Sequence, residues 1–153
     1  MLALGFLAGT HLHDRIIRAV EEVHTPQATA THVVLISNTI GIEAAWPRVR
    51  TWVADTSGAP FWRVPLILTP EQERAVWAAA LARIGEPYDL PGLLWAGWYT
   101  LTGHPDRFLT EDRARVHCAS LVVECLRAGG MDLFPGVPAS NCTPALLAAA
   151  VSA

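Results

Sequence analysis

Residues 31 to 45 read THVVLISNTIGIEAA, two runs of β-branched and large apolar side chains flanking Ser37-Asn38-Thr39. The pattern predicts a β-hairpin. No other feature constrains the fold as tightly, because strand side chains alternate between faces and the turn decides which residues share one. With Ser37-Asn38 as the loop, His32 lies directly opposite Glu43. With Asn38-Thr39 as the loop, Glu43 faces Val34 and is diagonal to His32 on the same face. Only a loop of three residues breaks this parity. An imidazole heading an apolar strand is costly to bury without a partner, and a carboxylate on the same face can be that partner. His32 and Glu43 are expected to be cross-strand neighbours.

Around this hairpin the chain alternates strands and helices. Residues 2 to 8 (LALGFLA) read as a short buried strand, and Asp14 to Val23 has apolar residues at helical spacing behind a capping Asp14. Residues 46 to 60 read as irregular. FWRVPLIL, 61 to 68, is a strand that Pro65 confines to a sheet edge or a bulge. Thr69-Pro70-Glu71-Gln72 combines a cap, Pro at the first helical position and Gln where a capping box wants it. It opens a helix to about Ile84, with Val76, Trp77, Ala80, Leu81 and Ile84 on one face and Gly85 ending it. Glu86 to Asp89 is a turn, Asp89 caps the apolar segment LPGLLWAGWYTL, and a polar loop follows. RVHCASLVVECLRAGG is a helix closed by Gly129-Gly130, and Thr143-Pro144 starts a last short one. With no repeat, low-complexity segment or long linker, the 153 residues read as one α+β domain spanning 1–153, a small antiparallel sheet packed against helices.

Composition narrows the function. The chain is 52% apolar and 16% charged, enough for a sizeable core and more exposed apolar surface than usual. Its net charge is -3, every basic residue is Arg, and no basic cluster exists, so nucleic acid is not an expected partner. Cys118 and Cys125 stand about 10 Å apart on a helix, too far for a disulfide. Cys142 could pair only by leaving one of them free. Three reduced thiols favour a cytoplasmic setting, and an N-terminus with no positive residue before its apolar run argues against a signal peptide while leaving export open. No run reaches the roughly 18 apolar residues of a membrane span. His11-Leu12-His13-Asp14 lacks a third ligand at fixed spacing, so no metal is expected. Trp95, Trp98 and Tyr99 read as core, with an apolar substrate groove or membrane contact as the other reading.

Cys118 stands at the first turn of its helix, where the dipole favours thiolate. Residues 115 to 117 offer no Ser, Thr, Asp or Asn cap, so first-turn N–H groups are expected to be unclaimed and could form an oxyanion hole. Cys118, Leu121, Val122 and Cys125 also form one apolar stripe, and from this stretch alone a buried core cysteine is the favoured reading. A nucleophile needs a base. Adjacent His117 is the poorer candidate, since consecutive helical side chains diverge. His32, oriented by Glu43 on one ring nitrogen, can accept the thiol proton on the other.

ATHVVLIS and GIEAAW, then FWRVPLILTPEQERAVWAAALARIGEPYDL, then VHCASLVVECLRAGG and NCTPALL follow one another in an order that resembles the circularly permuted branch of the NlpC-type papain-like superfamily. That branch includes the YiiX-like proteins and lies near the lecithin retinol acyltransferase-like proteins. The resemblance covers roughly residues 28 to 147. It departs in having Ala119 rather than Ser after the cysteine, and LALGFLAG where members carry a strand reading Gly-Asp plus apolar residues. It implies a permuted papain-like fold, with Cys118 as nucleophile, His32 as general base and Glu43 orienting the ring. It also implies that the Tyr88 phenol approaches the site and helps bind the oxyanion. The implied activity is a cysteine hydrolase of amide bonds acting through a thioacyl-enzyme, on cell-wall peptides or other small amides, without metal or cofactor. A lipid-directed amidase or acyltransferase, and a non-catalytic binding module of the same fold, are the alternatives.

Overall fold

The computed structural model describes residues 1–7, 30–53, 61–102 and 115–152. Within them lie five strands: β1 (Leu2–Leu7), β2 (His32–Ser37), β3 (Ile40–Ala45), β4 (Arg48–Val53) and β5 (Phe61–Pro65). They form one antiparallel sheet in the order β4-β3-β2-β1-β5. β1 is therefore interior, paired with β2 on one side and β5 on the other. β5 is an edge strand that ends at Pro65, where a missing N–H costs no ladder bond.

The hairpin register pairs Ser37 with Ile40, Ile36 with Gly41 and Leu35 with Ile42, so Asn38-Thr39 form the loop. Asn38 takes φ 56°, as hairpin turns require at their first loop position. In this register Glu43 is diagonal to His32 on one face. Gly41 is required by close approach, because a Cβ there would sit 2.7 Å from Val34 Cγ1 and 2.9 Å from Trp52 Cε3.

One expectation is corrected. Residues 46 to 60 read as irregular, yet β4 occupies Arg48–Val53 and pairs along its whole length with β3. Only Val49 and Trp52 of its six residues are buried. An edge strand needs few apolar positions when the neighbouring ladder supplies the order, and this one hides between Arg48, Arg50 and Thr51.

The helices follow local signals closely. α1 (Pro70–Ala82) begins with the full capping box, Thr69 Oγ1 accepting from Gln72 N–H and Gln72 Oε1 accepting from Thr69 N–H. Val76 and Ala80 are buried and Trp77 packs partly on the core, whereas Leu81, in the last turn, and Ile84, beyond the end of the helix, are exposed. α2 (Leu90–Thr102) is capped by Asp89, whose Oδ1 accepts from Gly92 N–H at 3.0 Å. α3 (Cys118–Ala128) lies across β2 and β3 and packs on α1 as well. A 3-10 turn (Ala139–Asn141) and α4 (Pro144–Ser152) complete the described chain, Thr143 Oγ1 accepting from Leu146 N–H at 3.3 Å.

The main core joins Leu2, Leu4, Phe6, Val33, Leu35, Ile42, Ala44 and Val49 of the sheet to the buried side of α3. A smaller cluster of Leu7, Val34, Ile36 and Trp52 covers the other face. Phe6 also stacks on Trp62 of β5, centroids 5.5 Å apart. The fold is α+β, one antiparallel sheet with helices packed on it. Among the described residues no helix is long and apolar enough to cross a membrane. The expected helix from Asp14, the His11–His13 pair and most of the polar loop before Arg115 lie outside the described residues.

Candidate active site

Two local arrangements carry His32 and Glu43 to one place. The β2–β3 pairing runs from Ser37–Ile40 to Leu35–Ile42, beyond which His32 to Val34 stay paired with β1 and Glu43 to Ala45 with β4. The two strands part there, and side chains bridge the opening. His32 Nε2 donates to Glu43 Oε2 at 2.7 Å, and Arg50 Nε donates to Glu43 Oε1 at 2.9 Å. The Glu43 side chain is 5% exposed and the His32 ring 19%.

The third component arrives through a second stitch. Residues 86 to 89 are more than the expected turn. Val49 N–H donates to Glu86 O at 2.8 Å and Tyr88 N–H to Pro47 O at 3.0 Å, tying this segment to β4. On its far side Asp89 N–H donates to Val116 O at 2.9 Å and Val116 N–H to Pro87 O at 3.2 Å. Tyr88 thus bridges β4 to Val116, two residues before Cys118, and its half-buried ring packs on the core. Val116 in turn leads directly into α3, whose packing across β2 and β3 brings the Cys118 thiol beside the His32 ring. With Nε2 held by Glu43, Nδ1 is the ring nitrogen left to face sulfur.

The start of α3 corrects the expectation of an uncapped first turn. His117, fully buried, is itself the N-cap. Its Nδ1 accepts from Ser120 N–H at 3.4 Å, and Ser120 Oγ accepts from His117 N–H at 3.0 Å, which makes a capping box from unusual residues. His117 Nε2 donates to Ser140 O at 3.1 Å, anchoring the 3-10 turn. The ring therefore has no lone pair left for a thiol proton, although it lies beside the thiol. Only the Ser120 amide is claimed by this cap. The amides of Cys118 and Ala119, at the first two helical positions, have no acceptor one turn back within the helix.

Electrostatics separate the three thiols. Burial opposes ionisation of Cys118, but hydrogen bonding with His117 and His32 and the charge of His32 outweigh it, and the thiol is lowered from 9.0 to about 6. Burial likewise opposes a cation at His32, yet hydrogen bonds with Cys118 and Glu43 and their negative charges raise it to about 10. Glu43 is held below the usual carboxylate range, its own burial overcome by His32 and Arg50. At neutral pH this arrangement favours a thiolate–imidazolium pair. Burial instead pushes Cys125 up to about 12 and Cys142 up to about 11. All three cysteines are free and buried. No family model matches this chain, and no curated protein is similar enough to count as a match. The site must speak for itself.

Of the residues singled out in the sequence, the structure brings Cys118, His32 and Glu43 together and sets Tyr88 beside Val116, two residues before Cys118. Trp95 and Trp98 lie on α2 with exposed side chains, and Tyr99 is on the same helix. Sequence reasoning missed Arg50 and the capping role of His117. Arg50 was legible only to a reader who had already placed β4, because its contact follows from facing Glu43 in that register.

Proposed function

We propose that the protein is a cysteine hydrolase of amide bonds, built on a permuted papain-like domain of the NlpC type. The observation that carries this reading is the convergence of a helix-initiating thiol, an imidazole and a buried carboxylate, connected in that order. A thiolate at Cys118 attacks the substrate carbonyl carbon, forming the C–S bond while the carbonyl electrons move to oxygen. His32, as imidazolium, gives its Nδ1 proton to the departing amine nitrogen as the C–N bond breaks, leaving a thioacyl-enzyme. The now neutral ring takes a proton from water, the hydroxide equivalent adds to the thioester, and the acid leaves as thiolate and imidazolium re-form. Glu43 holds Nε2–H throughout and fixes the tautomer. The Cys118 backbone N–H and the Tyr88 phenol are the proposed oxyanion donors. These steps draw only on side chains and backbone. Small-molecule or peptide amides, cell-wall peptides among them, are the proposed substrates.

One observation favours a second reading, a lipid-directed amidase or acyltransferase. α2 carries no charged residue and exposes Leu90, Leu94, Trp95 and Trp98, a surface suited to an acyl chain or a bilayer interface. Tryptophan emission measured with and without anionic and zwitterionic vesicles separates the two, since a blue shift is expected only for the lipid reading.

The test of catalysis is a trapped intermediate. Incubation with activated acyl esters, followed by intact-mass and peptide-level mass spectrometry, should place the acyl group on Cys118 and nowhere else. Cys118→Ala should give no adduct. Acylation spread equally over Cys125 and Cys142 would sink the proposal and leave a non-catalytic module of this fold.

A further inference from the structure

We propose that Arg50 is a positioning residue of this site: it clamps one oxygen of Glu43, so that the carboxylate stays ionised with its other oxygen aimed at His32. The inference rests on the Cys118–His32–Glu43 reading and adds a fourth member to it. Glu43 and Arg50 are directly paired residues of β3 and β4, so their side chains leave the sheet on the same face, within reach of each other. Both carboxylate oxygens are taken, Oε1 by Arg50 Nε at 2.9 Å and Oε2 by His32 Nε2 at 2.7 Å. A carboxylate gripped at both oxygens has no freedom to rotate away from the ring. The contact comes from Nε, on the rigid plane of the guanidinium, a geometry that an ammonium on a flexible stem does not reproduce.

Charge gives the clamp its second effect. Among the described residues, the titratable groups facing the site are Cys118 and neighbouring His117 from α3, His32 from β2, Glu43 from β3 and Arg50 from β4, and Cys118, His32, Glu43 and Arg50 make up its line of charges. With the thiol ionised, they alternate in sign along the line thiolate, imidazolium, carboxylate, guanidinium. Take Arg50 away and the remaining three sum to one uncompensated negative charge in a largely buried setting. Two responses are open. Glu43 can take up a proton and lose its hold on His32, or it can stay ionised and leave the site negative. Both make the Cys118 thiolate harder to form. Because the Arg50 side chain is itself 57% exposed and β4 is an edge strand, replacing it should leave the fold intact.

The experiment is the pH dependence of iodoacetamide alkylation of Cys118, read by peptide mass spectrometry, in the wild type, Arg50→Met, Glu43→Gln and the double variant. Arg50→Met should move the midpoint upward by about half a unit to one unit, which is roughly a three- to tenfold slower reaction near pH 5. If Arg50 acts through the carboxylate, the same change in the Glu43→Gln background should produce no further shift. A low wild-type midpoint that Arg50→Met leaves in place would overturn the Arg50 assignment alone. An equal shift in both backgrounds would also overturn it, since that marks a distant charge rather than a clamp. A wild-type midpoint at the ordinary thiol value would overturn the triad and this proposal with it. Arg50→Gln, uncharged but still a donor, replaces Arg50→Met if thermal melts show the latter misfolded.

Discussion

Cys118 and Cys125 lie seven positions apart on one helix, both buried, yet their chemistry diverges because only the first meets an imidazole. At pH 7 Cys118 lies above its value of about 6 and is mostly thiolate, while Cys125 and Cys142, pushed to about 12 and about 11, stay protonated. A thiolate of low basicity is also a weaker nucleophile, which offsets part of the advantage. The net expectation is alkylation of Cys118 on the order of a hundredfold faster than of the other two in the folded protein. Hydrolysis, in the proposed reading, should rise as pH climbs through about 6 and decline as it passes about 10, where His32 loses its proton. A rate–pH profile that rises only near the ordinary thiol value of 9.0 would contradict this assignment. His117 makes a different residue-scale prediction. His117→Ala removes the α3 cap and the tie to Ser140 together, so it should lower unfolding stability by about 1 to 3 kcal/mol in urea titration. Its loss should also raise the Cys118 midpoint, because one of the contacts that favours the thiolate goes with it.

At the scale of elements, the contact between α1 and α3 depends on a residue with no side chain. A Cβ on Gly129 would overlap Val76 Cγ2 and lie 3.0 Å from the Gln72 backbone oxygen, so neither neighbour has an easy escape. Gly129→Ala should therefore destabilise by about 1 to 3 kcal/mol, seen as a lower denaturation midpoint with an unchanged slope. The helices were the most readable elements, because their signals are local: Thr69 with Gln72, Asp89, the Gly129-Gly130 pair and Thr143 all act within a turn of where they stand. The hairpin was readable for a related reason, since either two-residue turn leaves His32 and Glu43 on one face. β4 was not readable. Arg48, Arg50 and Thr51 break the apolar pattern, and the strand owes its order to a partner ladder rather than to its own composition. Arg50 disappeared from view along with it.

For the whole molecule, the position of β1 between β2 and β5 makes Leu2–Leu7 part of the interior of the sheet. Leu4, wholly buried at the centre of that strand, should cost about 2 to 5 kcal/mol when replaced by Ala, measurable as a shift in the thermal or urea transition. Acid should act through Glu43. Its folded value lies below its ordinary 4.5, so its ion pairs add stability above that pH and lose it as pH falls through the folded value. Melting temperatures should therefore drop on acidification below about pH 4.5, and Glu43→Gln should flatten that drop. A Glu43→Gln profile parallel to wild type would show that other carboxylates carry the acid response. By itself, the sequence determined the local pieces: capped helices, a hairpin with its face parity, a cysteine at a helix start. Those depend on interactions within a few residues, and sequence spacing records them. Only the tertiary structure decided that β4 exists, that residues 86 to 89 join it to Val116, and that α3 lands with its first residue at the opening between β2 and β3. The cause is physical: the buried thiol becomes acidic through adjacent His117 and through His32, eighty-six residues away in the chain, and sequence distance carries no trace that the second of these will touch it.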